Sequence, residues 1–186
     1  MVTLRHEKSS EAAAREALLD LAYGPARLSK PSQRLRMGRK PSAGLSFVAL
    51  EDGAMIGTLR LWEVAVGASD KMLLLGPLAV HPDHRKRGVG AALMQRALRD
   101  AGRRGHRAVL LVGEPSYYGR FGFSNQQTGG LWLPGLDQRS RLLGHELVAG
   151  ALDGARGMIR APNRDKNTPL VAAVAGLYPV ADPLAA

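Results

Sequence analysis

The stretch Leu78-Ala-Val-His-Pro-Asp-His-Arg-Lys-Arg-Gly-Val-Gly-Ala91 decides the reading of this chain. An apolar strand ends at Val80. A polar turn carries Arg85, Lys86 and Arg87, and Gly88 and Gly90 then open an amphipathic helix. The first backbone N–H groups of a helix have no helical partners and point outward. The helix dipole adds partial positive charge, and the missing side chains at the two glycines permit close approach. Together these features make an anion site suited to phosphate or pyrophosphate. Lys86 and Arg87 add formal charge to it.

Upstream, Met72–Val80 is an apolar run broken only by Gly76-Pro77. A strand apolar on both faces belongs at the centre of a sheet, whereas proline cannot donate to a ladder. Both hold if the strand is central and distorted at Gly76-Pro77, which would part it from a neighbour and leave backbone groups free. Downstream, Val89, Leu93, Ala97 and Ala101 recur every four residues, with Met94 and Leu98 beside them, so Gly88–Arg104 reads as a helix. Ala108–Val112 reads as a strand and Pro115–Arg120 as one or two helical turns.

The flanks are read the same way. Val2–His6 is a strand, and Ser9 or Ser10 caps a helix that runs to about Leu21 and stops at Gly24-Pro25. Lys30–Lys40 reads first as a solvated basic segment and second as a substrate lip. Leu45–Leu50 and Met55–Val66 form a hairpin about Asp52-Gly53, and Gly67–Lys71 is a further turn. Leu142–Val148 and Gly157–Arg160 complete the strands. The expected organisation is one domain over residues 1–160 and a Pro/Ala-rich tail over 161–186.

Composition narrows the function. The chain has 186 residues, a formal net charge of +10 and no cysteine. Disulfides, cysteine-ligated zinc, iron–sulfur clusters and thiol nucleophiles are excluded together. The five histidines are scattered, so no metal is expected. His81 and His84 are expected to solvate their turn. The N-terminus lacks a signal-peptide pattern and no apolar run reaches membrane length, so no membrane partner and a cytoplasmic location are expected. Arg60 is expected in a surface ion pair, and Trp62 and Trp132 in the core or a pocket wall.

Three phosphate-site readings compete for the Gly88–Gly90 loop. A P-loop needs Lys and Ser or Thr after its glycines, and Val89-Gly90-Ala91 stands here instead. A dinucleotide loop needs a third glycine where Leu93 stands, although Glu114 lies roughly where a ribose-binding acid would sit. The third reading is a coenzyme A site, with pantetheine on a free strand edge and the pyrophosphate at the helix N-terminus.

Arg85-Lys86-Arg87-Gly88-Val89-Gly90 resembles the R/Q-x-x-G-x-G/A signature of the GNAT (GCN5-related) N-acetyltransferases. Leu75–Pro82 and Tyr117-Tyr-Gly-Arg-Phe-Gly-Phe123 are similar to the YhbS-like branch of predicted bacterial N-acetyltransferases. The likeness covers roughly Leu4 to Arg160. It implies an α/β (α+β) fold: a mixed, mostly antiparallel sheet with a splayed centre, flanked by helices. It also implies acyl-CoA-dependent N-acyl transfer, with acetyl passing from acetyl-CoA to a primary amine by direct attack through a tetrahedral intermediate.

By position, Leu78, Ala79 and Val80 would meet pantetheine. Arg85, Lys86, Arg87, Gly88, Val89, Gly90 and Ala91 would surround the pyrophosphate. Tyr118 would be the general acid, and a backbone N–H near Leu78 would hold the oxyanion. The base is the weak link: Glu114 comes first, Glu63 next, and a water chain or an already neutral amine stands beside them. The acceptor is a small-molecule or protein amine, and the chain a monomer or homodimer. A non-catalytic acyl-CoA sensor remains an alternative, as does a basic protein associated with nucleic acid or the ribosome, although few aromatics accompany the basic residues.

Overall fold

In the computed structural model, which describes residues 1–67 and 69–162, a mixed sheet carries the molecule. Its strands are β1 (Val2–His6), β2 (Ser46–Glu51), β3 (Ala54–Val66), β4 (Ser69–Val80), β5 (Ala108–Val112), β6 (Leu131–Trp132), β7 (Leu142–Glu146) and β8 (Gly157–Arg160). The main path runs β1-β2-β3-β4-β5-β7, and β8 pairs with both β3 and β6. Among the described residues only β4–β5 and β6–β8 are parallel. The helices are α1 (Ala12–Tyr23), α2 (Val89–Arg103) and α3 (Pro115–Tyr118).

β4 is the central strand. Leu73 and Leu75 pack with α2, whereas Met72 and Leu74 pack on the opposite face with Leu110, Leu131 and Ile159. Burial on both faces accounts for the apolar run Met72–Leu75, since alternate residues reach different core layers. α2 lies on the first face through Val89, Leu93, Met94, Ala97 and Ala101. At Gly57 of β3 a Cβ would come within 2.9 Å of Leu93, so this glycine lets the helix sit close to the sheet. Leu18 and Leu19 of α1 pack on Ala79.

The β2–β3 hairpin turns at Asp52 (φ 50°) and Gly53 (φ 81°), the left-handed pair that the Asp-Gly reading predicts. Elsewhere the boundaries move. β4 begins at Ser69, inside the expected 67–71 turn, because Val66 already pairs with Ser69. β7 stops at Glu146, whose carboxylate accepts from the Gly150 and Leu152 amides and so turns the chain away. α1 is preceded by a 3-10 turn whose capping partner is not a serine: Glu11 accepts from the Lys8 amide at 2.8 Å. Trp132 is 46% exposed and is no core residue, whereas Trp62 is buried and donates Nε1–H to the Gly76 carbonyl at 2.7 Å. The proline/alanine-rich tail lies outside the described residues from 163 onward.

Arg60 is tied inside the molecule. Glu7, with a side chain only 4% exposed, accepts from Arg60 at 2.7 and 2.6 Å and also from Arg15. The carboxylate therefore joins β3 to the start of α1. Removing one member of a buried ion group leaves uncompensated charge. Glu7→Ala is expected to lower the unfolding free energy by about 3 kcal/mol, measured by urea denaturation at neutral pH.

Candidate functional site

The site begins where the β4–β5 ladder ends. These parallel strands pair only at Leu73–Val109 and Leu74–Leu110, and then diverge. The peptide before Pro77 is cis. On its other side β4 stays with β3, pairing Leu59–Leu78, Thr58–Ala79 and Gly57–Val80. The His81 amide donates to the Ile56 carbonyl at 2.9 Å. Hydrogen-bonded and non-bonded pairs alternate along an antiparallel ladder. Ala79 therefore directs its backbone groups to β3, and Leu78 and Val80 direct theirs into the gap.

Across the gap lies the N-terminus of α2. Lys86 (φ 62°) and Gly88 (φ 80°) are both left-handed and bring the chain sharply into the helix. Ala92 makes the first helical bond, to the Gly88 carbonyl at 2.9 Å. Among the described residues no backbone partner is found for the amides of Gly88, Val89, Gly90 and Ala91. A Cβ at Gly90 would stand 3.0 Å from the Tyr117 hydroxyl and 3.5 Å from Val80. The glycine thus keeps a narrow passage open.

A cavity of about 770 Å³ fills this space. Leu78–Val80 wall one side, and Arg85, Lys86 and Gly88–Ala91 the other. Tyr23, at the end of α1, and Tyr117 and Tyr118, on α3, close its inner end. A second cavity of about 430 Å³ lies beyond Leu78, between the diverging ends of β4 and β5. The two share Tyr23, Leu78, Tyr117 and Tyr118. Unpaired amides at one end and a free strand edge along one wall fit a ligand with a diphosphate and an amide-bearing arm.

Most expected site residues converge here, but three depart from expectation: Ala79 turns its backbone groups to β3, and Arg87 and Glu63 line neither cavity. Arg87 makes a two-point contact with Glu51 at 2.9 and 2.7 Å and does not line the cavity. His84 lies with it, 3.1 Å from Glu51, and also borders the cavity. Tyr118 rests on Gly113, where any Cβ would collide with its ring. Burial raises the Tyr118 phenol well above its ordinary value, so it is a protonated donor across the physiological range. Among the described residues its hydroxyl and that of Tyr117 have no hydrogen-bond partner.

Of the carboxylates, Glu114 lines the second cavity but lies 3.0 Å from Arg141 Nε. Glu63 is exposed, accepts from Ser42 at 3.2 Å and borders neither cavity. Three participants escape the sequence reading. Tyr23 donates its hydroxyl to the Leu78 carbonyl. Gly113 seats Tyr118. Arg36, taken as part of a solvated segment, lines the second cavity. Ser32 and Leu35 are buried beside it, four residues and one residue earlier in that segment. Among the described residues no cluster of metal-ligating side chains occurs, and no helix is long and apolar enough to cross a membrane.

Residues 13–123 match the model of the Acetyltransferase (GNAT) family, and the chain belongs to that family. It is 32% identical over 120 residues to the uncharacterized N-acetyltransferase YhbS of Escherichia coli K12, covering 62% of this chain and 70% of the relative. The crystal structure of YhbS from Escherichia coli in complex with CoA superposes with a TM-score of 0.74 and 29% identity, over 86% of this chain and 89% of that one. A GNAT family acetyltransferase from Brucella melitensis in complex with acetyl-CoA gives 0.59 and 29%, over 67% and 83%. The splayed, mostly antiparallel sheet is thus the family's architecture, and coenzyme A or acetyl-CoA is bound by both neighbours.

The geometry separates two neighbours in the signature. Gly90→Val is expected to weaken acetyl-CoA binding at least ~10-fold, by filling the passage and covering the helix amides. Arg87→Ala is expected to change it by less than about threefold, since an exposed ion pair with Glu51 contributes little elsewhere. Calorimetric titration of acetyl-CoA into both variants checks this pair.

Proposed function

We propose that the chain is an acyl-CoA-dependent N-acyltransferase that moves acetyl from acetyl-CoA to a primary amine. One observation carries the reading. A single cavity joins the unpaired amides of the α2 N-terminus to the Leu78 N–H and the Val80 backbone, which face away from β3, and it ends at a protonated tyrosine. Acetyl-CoA supplies an acyl group already activated as a thioester.

In this reading the Gly88–Ala91 amides hold the pyrophosphate, with Lys86 and Arg85 beside them. The Val80 backbone groups hold the pantetheine amides by strand-like pairing, which leaves the Leu78 N–H for the acyl group. The second cavity admits the amine, whose nitrogen attacks the thioester carbonyl. The C–N bond forms, and negative charge gathers on the carbonyl oxygen. The Leu78 N–H faces the gap and is positioned to stabilise that charge. As the C–S bond breaks, Tyr118 gives its proton to the departing thiolate and then regains one from solvent. The amine's own proton passes to water or to Glu114.

The engagement of Glu114 with Arg141 favours an amine that arrives neutral. Lys30, Arg36 and Arg141 surround the second cavity, and neighbouring positive charge disfavours a protonated ammonium. The same engagement favours a second reading, an acyl-CoA-binding module without turnover.

Titration of acetyl-CoA, run beside thiol release over a panel of amines, tests the proposal. Binding with thiol release from any amine class supports it. Binding without release moves the chain to the binding-module reading, and absence of binding overturns both. Tyr118→Phe is expected to lower kcat by about 100-fold while leaving the affinity for acetyl-CoA within about twofold. An unchanged kcat would remove Tyr118 from the proton transfer.

A further inference from the structure

The second cavity holds charge that the protein does not balance. Four cationic side chains border it: Arg27, Lys30, Arg36 and Arg141. Two of these are compensated. Arg27 contacts Glu16 and Asp20 at 2.7 Å each, and Arg141 contacts Glu114 at 3.0 Å. The other two are not. Among the described residues the Arg36 guanidinium has neither an ion pair nor a hydrogen bond, and its Nε is fully buried. Its terminal nitrogen approaches β4 at Gly76, within 3.1 Å of where a Cβ would stand. Lys30 places its ammonium 4.4 Å above the Tyr23 ring and has no ion pair among the described residues. Burial pushes the Arg36 guanidinium down to about 10. The Lys30 ammonium is lowered by burial first, and by Arg141 and Arg36 next.

A part-buried guanidinium whose Nε is shut from water without a partner costs free energy. Lys30, an exposed cation at the same opening, adds to that cost because the two repel each other. The arrangement has a natural complement in an anion that enters with the acceptor. The cavity lies beyond Leu78, on the side away from the α2 N-terminus, so the diphosphate site is separate from it. Tyr23 marks the boundary, with Arg85 acting on its hydroxyl from one side and Arg36 from the other.

We propose that the acceptor is a small primary amine carrying an anionic group, a carboxylate or a phosphate, and that Arg36 with Lys30 binds that group. This rests on the acyltransferase reading. The cation pair also explains exclusion. A simple amine enters as an ammonium and meets repulsion, whereas an amine with its own anionic group brings compensation. Arg36 is the residue suited to the role, since its planar fork can grip two oxygens of one group.

Matched acceptors test this: a short amino acid, its carboxamide, and the corresponding aminoalkyl phosphate. The wild type is expected to use an anionic acceptor with kcat/KM on the order of 100-fold above the carboxamide. The better of the two anionic acceptors identifies the group. Arg36→Gln is expected to erase that preference through KM, with acetyl-CoA affinity unchanged. Arg36→Lys is expected to restore part of it. Equal use of the carboxamide by the wild type overturns the proposal, as does a preference that survives in Arg36→Gln.

A binding measurement covers the case of slow chemistry. The N-acetyl products of the same three acceptors are titrated into protein saturated with coenzyme A. Tighter binding of an anionic product, lost in Arg36→Gln, supports the assignment. Equal binding, or none, overturns it. Failure of acetyl-CoA itself to bind would instead strike the acyltransferase reading, so the two failures are distinguishable.

Discussion

The structure depends on a ladder that stops early. β4 and β5 pair at Leu73 and Leu74 and then separate, while β4 remains fixed to β3 through Val80. Unpaired backbone inside a sheet is costly unless something else satisfies it. Here the protein contributes only part of that satisfaction, with the Tyr23 hydroxyl on the Leu78 carbonyl and Trp62 on the Gly76 carbonyl. The remaining groups of Leu78 and Val80 are left for a ligand. Both cavities exist because of this separation, one on either side of Leu78.

The two cavities build positive potential differently. On the cofactor side backbone amides of a rigid helix, backed by glycines that add no bulk, act beside the charges of Arg85, Lys86 and Arg120. Such dipoles are fixed by the fold and need no counterion. On the other side the potential comes from whole charges, Arg36 and Lys30, whose neighbours are apolar strands and a tyrosine ring. Arg87 is paired with Glu51, Arg27 with Asp20 and Glu16, and Arg60 with Glu7, whereas among the described residues Arg85 and Arg120, which line the cofactor cavity, have no carboxylate partner. A formal charge of +10 thus has little meaning as a whole-molecule property. What matters is which cations the fold leaves uncompensated, and where.

That distinction also explains what could be read from the sequence. The central strand, its break at Gly76-Pro77, the glycine-opened helix and the Asp-Gly hairpin rest on local chemistry: periodicity of two or four, a missing donor, a left-handed turn. All of these appear in the structure. Tyr118 is singled out only by the family resemblance, through its place before Gly122-Phe123, and the structure sets it on the wall of both cavities. Arg36 was not legible, because a basic segment between prolines looks the same whether it faces water or a cavity. Only the burial of Ser32 and Leu35 turns it inward. Nor could sequence order show that Arg87 faces Glu51, 36 residues earlier, while Lys86 beside it borders the cavity.

Leu78 is where these strands of argument meet. Its side chain packs beside the core that α2 builds, its carbonyl is held by Tyr23, and its register directs its N–H into the gap. A residue type cannot announce such a role, since any apolar side chain would satisfy the packing. The role belongs to the backbone, and it arises because one neighbouring strand is present and the other is missing. The tyrosines complete the arrangement from outside the sheet. Tyr23 arrives from α1 and Tyr118 from α3, and Tyr118 fits only because Gly113 has no side chain. The chemistry proposed for this site therefore rests on three omissions, a strand partner after Leu74 and side chains at Gly90 and Gly113, as much as on any group the sequence supplies.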